Sequence, residues 1–310
     1  LKPLISLQNI TKDYGTFRAL DDISLDIYSG VIGLLGPNGA GKSTLIKTLL
    51  GMVSMQRGTG TVFGYNIGRD NREVRSRSGY MPEDDCYITG LTGVEMVQFT
   101  ARLSGIPPVE ALRRAHEILD FSGTEQERYR QVETYSTGMR QKLKFAQAIV
   151  HDPDLLIFDE PTAGLDPNER EIMLRRIRRL HTEHGKAVLI STHILPDVQS
   201  ICNHVVILAK GKVRLDESME VISAPAEPTV HIRVFGDASP LLAAIAADGK
   251  QATQHFDGSI ALQGIDSSNV DQVWKWAHAT GVGIQALRPA RNSVEQIFID
   301  AVREGNIASK

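Results

Sequence analysis

The stretch Gly36-Pro37-Asn38-Gly39-Ala40-Gly41-Lys42-Ser43-Thr44 limits what this chain can fold into more than any other. It reads G-x-x-x-x-G-K-S, the P-loop pattern. The run before it, Val31-Ile32-Gly33-Leu34-Leu35, is short, apolar and suited to a buried strand. The run after it, Leu45-Ile46-Lys47-Thr48-Leu49-Leu50, places Leu45 with Leu49 and Ile46 with Leu50 on shared helix faces. A glycine loop between strand and helix is the context the motif needs. Glycines let the backbone turn its N–H groups inward, and the helix N-terminus adds positive potential. Lys42 is placed to reach the β- and γ-phosphates, and the Ser43 hydroxyl to bind Mg²⁺. The expectation is a nucleoside triphosphate site. What it powers has to come from the rest of the chain.

Composition narrows the classes. The chain has 310 residues, 42 % hydrophobic and 23 % charged, with a net charge of −3. That is ordinary globular composition, long enough for one large domain or two. No global basic field points to nucleic acid. The local run Arg175-Arg176-Ile177-Arg178-Arg179 lies near an expected helix C-terminus, where cations favour the dipole, and reads as a solvated face. Cys86 and Cys202 match no zinc spacing and suit a reducing compartment. No apolar run approaches the roughly 18 to 20 residues that span a bilayer. No signal peptide opens the sequence, which begins with Leu. The expected location is cytosolic unless a partner holds the protein at a membrane.

Along the chain, residues 5–10 alternate as a strand, Tyr14-Gly15 marks a turn, and residues 19–27 alternate again. Residues 60–64 read as a short strand, 69–77 as a charged helical segment, and 78–83 as a strand leaving for a loop. From about 92 to 150 the period is helical, in three segments near 94–101, 109–121 and 139–150. Leu155-Leu156-Ile157-Phe158-Asp159 and Ala187 to His193 are continuous apolar strands, as in a parallel sheet covered on both faces. Asp166-Pro167-Asn168-Glu169 is a helix start, with Asp at N-cap, Pro at N1 and Glu at N3. Residues 205–213 read as a hairpin. Residues 224–228 read as a linker. Beyond it the order is β (229–235), α (240–247), β (251–256), β (259–263), α (269–279), β (282–287), α (293–303), a small α+β unit of ferredoxin-like order. Trp274 and Trp276 are two apart, so on a helix one faces the core and the other is partly exposed.

A second chemical signature is Leu155-Leu156-Ile157-Phe158-Asp159-Glu160. Asp159, at the end of a buried strand beside the P-loop, suits Mg²⁺ held through its hydration shell. Glu160 suits acceptance of a proton from an attacking water. The histidines His151, His181, His184 and His204 form no metal spacing.

Taken together, Gly36 to Thr44, Tyr135-Ser136-Thr137-Gly138-Met139-Arg140-Gln141, Leu155 to Glu160, Gly164-Leu165-Asp166 and Ser191-Thr192-His193 stand in the order and spacing of one family. Over roughly residues 4 to 220 the chain resembles the ATP-binding subunits of ABC transporters. It looks most like the branch serving ABC-2 type, drug-exporter-like systems. The resemblance implies an α/β fold: a P-loop NTPase of the ABC ATPase kind, with a mixed sheet core, an antiparallel β subdomain and a helical subdomain. The domain expectation is 1–223 for the nucleotide-binding domain, 224–228 for the linker and 229–310 for a small α+β accessory domain.

The resemblance also implies roles, position by position. Tyr14 matches the aromatic that stacks on adenine. Gly36, Pro37, Asn38, Gly39, Ala40, Gly41, Lys42, Ser43 and Thr44 form the phosphate loop. Glu83 stands where the family usually has a Gln that touches Mg²⁺ and water and connects to the membrane subunit. Ser136 and Gly138 match signature residues that meet the γ-phosphate bound by the other protomer; Thr137 and Met139 depart from the usual Gly and Gln but keep the hydroxyl and the helix N-terminus. Asp166 matches a residue that crosses the dimer interface. His193 matches the switch histidine at the γ-phosphate, and Glu160 the catalytic carboxylate. Ser43, Glu83 and Asp159 make up the expected metal set.

The function so implied is an ATP-hydrolysing subunit that works as a dimer on MgATP. It drives transport, in the export direction, through a separate membrane-spanning permease to which residues 79–130 dock, at the cytoplasmic face of the membrane. The alternative is an ABC-type ATPase with a mechanical or regulatory role in nucleic-acid or translation processes. No coiled coil is inserted between P-loop and signature, and there is one cassette rather than two, so nucleic acid is not an expected partner. A kinase or GTPase fits less well, because the Asn-Lys-x-Asp guanine motif is absent.

Overall fold

The computed structural model describes residues 2–223, 228–255, 258–265, 269–290, 295, 297–299 and 301. The chain divides into two compact units, Leu1–Met219 with Phe298–Lys310, and Glu220–Ile297.

The first unit opens on a hairpin of β1 (Ile5–Tyr14) and β2 (Phe17–Ile27), followed by β3 (Val31–Leu35) and α1 (Lys42–Leu49). Then come β4 (Arg57–Val62), β5 (Tyr65–Asn66), α2 (Asn71–Ser76) and β6 (Ser78–Met81). Two longer helices follow, α3 (Gly93–Leu103) and α4 (Pro108–Phe121), then α5 (Thr137–Ile149) and β7 (Leu155–Asp159). The unit continues with α6 (Pro167–Thr182), β8 (Ala187–Thr192), α7 (Leu195–Ile201), β9 (His204–Ala209) and β10 (Lys212–Ser218).

Two sheets organise it. The antiparallel sheet runs β2-β1-β4-β5, and the mixed sheet runs β10-β9-β3-β8-β7-β6. In the second, every pairing is parallel except the β9–β10 hairpin at one edge. Strands β3, β7 and β8 are buried at every position, as apolar runs without alternation require. One face of the mixed sheet shares a core with the antiparallel sheet and α1, through Leu34, Leu45, Ile157, Leu189 and Val206. The other face packs on α5 and α6, where Phe145, Phe158, Met173 and Ile177 meet. A third core binds α3, α4 and α5 together through Val97, Ala111, Ala115 and Leu143. Its pieces are held by a capping box at Thr92 and Glu95 and by Pro108 at the first turn of α4.

The first strand is longer than its alternation suggests. It runs through Tyr14, which pairs with Phe17, so Tyr14 ends a strand and the turn is Gly15-Thr16. Register shifts between Leu7 and Asp13, with Asn9 at φ 53°, break the two-residue period and conceal the continuation. Similarly, the expected strand at 60–64 is displaced to Arg57–Val62, because Phe63 and Gly64 turn with positive φ into β5.

The second unit contains β11 (Thr229–Val234), α9 (Ser239–Ala247), β12 (Ala252–Gln254), β13 (Ile260–Gln263), α10 (Asp271–Thr280) and β14 (Ile284–Pro289), after the short α8 (Met219–Ser223) that spans the division. All its strand pairs are antiparallel, in the order β12-β13-β11-β14. Its core is Ile232, Leu241, Ile245, Ile260, Leu262 and Val273. Trp276 is buried and donates to Asp248 at 2.6 Å, while Trp274 is exposed. Linker residues 224–227 and most of the expected helix at 293–303 lie outside the described residues.

Candidate functional site

The glycine loop leaves β3 and enters α1 at Gly41, the N-cap residue, whose φ of 104° only glycine adopts freely. A Cβ there would also stand 2.5 Å from the Ala19 carbonyl oxygen. Lys42 is buried, and its ammonium donates to the Gly36 carbonyl at 2.8 Å and the Pro37 carbonyl at 3.4 Å. It also stands 3.6 Å from the Glu160 carboxylate. The loop encloses a concavity of about 390 Å³, lined by Phe17, Ala19, Asn38 to Thr44, Glu83 and Glu160.

At the end of β7 stand Asp159 and, next to it, Glu160; of the two, Glu160 is among the lining residues and Asp159 is not. Asp159 is buried and accepts from the Ser191 hydroxyl on β8, its register partner. The nearby Tyr80 hydroxyl has its pKa pushed up, by burial first and by the Asp159 charge second. Glu160 is buried in a left-handed turn at φ 50°, a geometry costly for a residue with a Cβ and retained where the surroundings enforce it. Its N–H donates to the Ser191 carbonyl at 3.0 Å. The His193 Nδ1 lies 3.0 Å from both Glu160 carboxylate oxygens and donates to them. In the neutral ring this leaves Nε2 as an acceptor. Glu160 is thus held between a buried ammonium and an imidazole whose side chain is half exposed.

Other expected site residues sit elsewhere. Ser136 is exposed and caps α5, accepting from the Met139 N–H at 3.3 Å. Gly138 lies against Glu169 of α6, whose carboxylate oxygen a Cβ would approach to 2.4 Å. Neither lines the concavity. Asp166 caps α6, accepting from the Asn168 and Glu169 N–H groups at 2.9 Å. Tyr14 is exposed, with the Lys12 ammonium 4.9 Å from its ring centroid, and is not among the lining residues. The exposed aromatic that does line the concavity is its strand partner Phe17. Phe17 and Tyr80 stand in no sequence motif, and Ser191 enters the sequence reading only as part of the Ser191-Thr192-His193 motif, without a role. An exposed aromatic just past a hairpin turn, and a Tyr and a Ser on strands flanking the acid, are the signals that would have marked them. Among the described residues, no group of three or more His, Cys, Asp or Glu side chains is arranged to hold a metal by itself.

The family model described as ABC transporter matches residues 20–163. An uncharacterised ABC transporter ATP-binding protein, YdbJ of Bacillus subtilis, is 31 % identical over 301 residues, covering 97 % of this chain and 96 % of that protein. The bacitracin transport ATP-binding protein BcrA of Bacillus licheniformis is 35 % identical over 214 residues, 69 % of each chain. A solved ATP-binding subunit of an ABC transporter is 30 % identical with a TM-score of 0.64, covering 71 % of this chain and 91 % of its own. A dimeric post-hydrolysis structure of the cassette MJ0796 with ADP and Pi shares the fold, with a TM-score of 0.65 at 24 % identity over 69 % of this chain and 98 % of that one. With its phosphate loop, strand-end acids and capped signature helix in the family's order, the chain belongs to the ATP-binding proteins of ABC transporters and is an ATPase.

Proposed function

We propose that this chain pairs with a second ATPase subunit, a copy of itself, and that the pair hydrolyses MgATP to drive export through a separate membrane-spanning permease at the cytoplasmic face of the membrane. The observation that carries the reading is Glu160, fixed in the lining of the phosphate-loop concavity between Lys42 and His193. A carboxylate so placed can take the proton of a water attacking the γ-phosphate, while Lys42 and the loop N–H groups hold the phosphates. His193 orients that carboxylate and offers its second nitrogen toward the phosphate. The oxygen donors Ser43, Asp159 and Glu83 form the hard set that suits Mg²⁺, which neutralises phosphate charge when bound. Phe17 joins Tyr14 as a candidate adenine platform.

Ser136 and Gly138 are not among the residues lining their own concavity, so their proposed role is at the nucleotide held by the second copy. The exposed N-terminus of α5 supplies the partial positive charge for it. Asp166 is proposed to reach the same interface. The proposed permease contact is the apolar surface of the helical part, where Ile88, Phe99, Leu103, Val109, Leu112 and Tyr129 are exposed. No described helix is long and apolar enough to cross a membrane, so the transport path belongs to the partner. Export as the direction rests on the branch resemblance and on relatives named for bacitracin transport and linearmycin resistance. We also propose residues 229–310 as a separate accessory domain, joined by the linker 224–228. The βαββαβ order and strand arrangement of its described part fit a ferredoxin-like unit. A nucleic-acid or translation role gains nothing from the structure: α3 and α4 pack on α5 as a compact helical group, without a coiled-coil arm.

The test is Glu160→Gln in the full chain. The variant is expected to bind ATP, to lose turnover by about 10²-fold or more, and to accumulate as a nucleotide-bound dimer by size exclusion with light scattering. Normal turnover would remove Glu160 from the mechanism.

A further inference from the structure

The loop that carries Glu83 is fastened to α5 by three side chains. The Lys144 ammonium donates to the Glu83 carbonyl at 2.6 Å and the Pro82 carbonyl at 3.1 Å. Arg140, one turn earlier on α5, donates to Asp85 at 2.8 Å and lies over the Tyr87 ring. Gln147, about one turn later, donates to the Cys86 carbonyl at 3.3 Å. Arg140, Lys144 and Gln147 share one face of the helix, as their spacing of four and three requires. Of the three, Lys144 grips Glu83 itself. It is 3 % exposed, so its cation is committed to those carbonyls and not to solvent.

At a buried position of α5, flanked in sequence by Leu143 and Phe145, a lysine has no packing role that a small or aliphatic residue would not fill better. Its retention there needs a polar purpose, and the two carbonyls supply it. Glu83 makes no side-chain hydrogen bond among the described contacts, yet it lines the phosphate-loop concavity. Its carboxylate is therefore placed by its backbone, and its backbone is placed by Lys144.

We propose that Lys144 is the positioning residue for Glu83. By clamping the Pro82 and Glu83 carbonyls to α5, it makes the helix that begins at Ser136 set where the Glu83 carboxylate stands over its own phosphate loop. This rests on the reading that Glu83 acts at the nucleotide and metal. It adds a consequence that reading lacks. A ligand engaging Ser136 moves α5, and α5 moves Glu83, so occupation of the second copy's site is felt at this copy's site through the Lys144 clamp. Small displacements suffice, because a misplacement near 1 Å at a reacting centre costs on the order of 10²-fold in rate.

The experiment is a double-mutant cycle in the full chain, with Lys144→Met, Glu83→Ala and the pair, reading MgATP turnover and metal-free ATP affinity. Glu83→Ala is expected to lower turnover. Lys144→Met is expected to lower turnover by about tenfold, to raise the Mg²⁺ concentration for half-maximal rate, and to leave metal-free ATP affinity within about twofold. In the Glu83→Ala background Lys144→Met should cost nothing further. An equal loss in both backgrounds would show that Lys144 merely supports the fold, and would overturn the proposal while leaving Glu83 in its role. Full turnover in Glu83→Ala would instead remove Glu83 from the site, and the proposal with it. Should Lys144→Met fail to bind ATP at all, the same cycle is run with Lys144→Arg, which keeps a donor cation at the wrong length. A smaller loss, present only with Glu83 in place, is then expected, and a loss independent of Glu83 overturns the proposal.

Discussion

His151, just past α5, places its Nε2 3.1 Å from the Ser78 carbonyl and keeps Nδ1 buried without a partner. The carbonyl can only accept, so Nε2 carries the proton; Nδ1 then has no donor to accept from, and if protonated would have nothing to donate to. Burial accordingly holds the imidazole pKa below its ordinary 6.5. The unfolded chain takes up a proton as pH falls through 6.5, and the folded chain does so only at lower pH. The neutral ring's contribution is therefore complete above 6.5 and is lost on acidification. Thermal melting between about pH 7.5 and 5.5 should fall less steeply in His151→Asn than in the parent chain. Equal slopes would show that other groups carry the acid sensitivity. Cys202 belongs to the same scale: burial pushes its thiol up to about 12, so it stays protonated and inert. The sequence shows these residue types but not their surroundings. It could reject His151 as a metal ligand from spacing alone, yet nothing in it said that one ring nitrogen would be stranded.

At the scale of elements, the approach of β6 to α5 is set by an absent side chain. A Cβ on Gly79 would lie 2.0 Å from the Ala148 carbonyl oxygen and 2.8 Å from the Pro153 ring. Because the nearer atom is backbone, it cannot rotate away. Gly79→Ala is expected to cost about 2 kcal/mol or more, at the upper part of what overpacking costs, read as a lower urea midpoint with unchanged slope. A neutral effect would mean that β6 and α5 separate easily. The elements were the most legible level of this chain. Continuous apolar runs gave β3, β7 and β8, and Asp166-Pro167 marked the start of α6, because burial on both faces and a filled N-cap are local facts. What failed was periodic reading across irregular backbone. The shifts in β1 hid its last residues, and with them the pairing that brings Phe17 rather than Tyr14 to the lining of the concavity. The clamp on the Glu83 loop was equally hidden, since it joins residues some sixty positions apart.

For the whole molecule, the separation of the signature from its own phosphate loop has a kinetic consequence. If Ser136 serves the other copy's nucleotide, activity per chain must rise with chain concentration until pairing is complete. At low concentration the rate should grow with about the square of concentration, then become linear. Proportional activity throughout, in a protein shown to be monomeric by light scattering, would assign the complete site to one chain. The order of motifs was readable as a family signature because each piece is short and local. The assembly of Asp159 with Ser191 and Tyr80, and of Glu160 with His193 and Lys42, depends on strand order β3-β8-β7-β6, which sequence alone does not print. The described elements of the second unit follow the βαββαβ order the same reading expects.

The buried contact between Lys42 and Glu160 has a last consequence, for how variants are to be interpreted. The lysine is satisfied by the Gly36 carbonyl and the Glu160 carboxylate. Admitting a triphosphate is therefore an exchange of partners, in which phosphate must outcompete a resident anion that also repels it. Neutralising Glu160 removes the competitor and the repulsion together. Tighter ATP retention by Glu160→Gln is then partly an affinity effect that involves no arrested chemistry, and only the turnover rate speaks to the proton-accepting role.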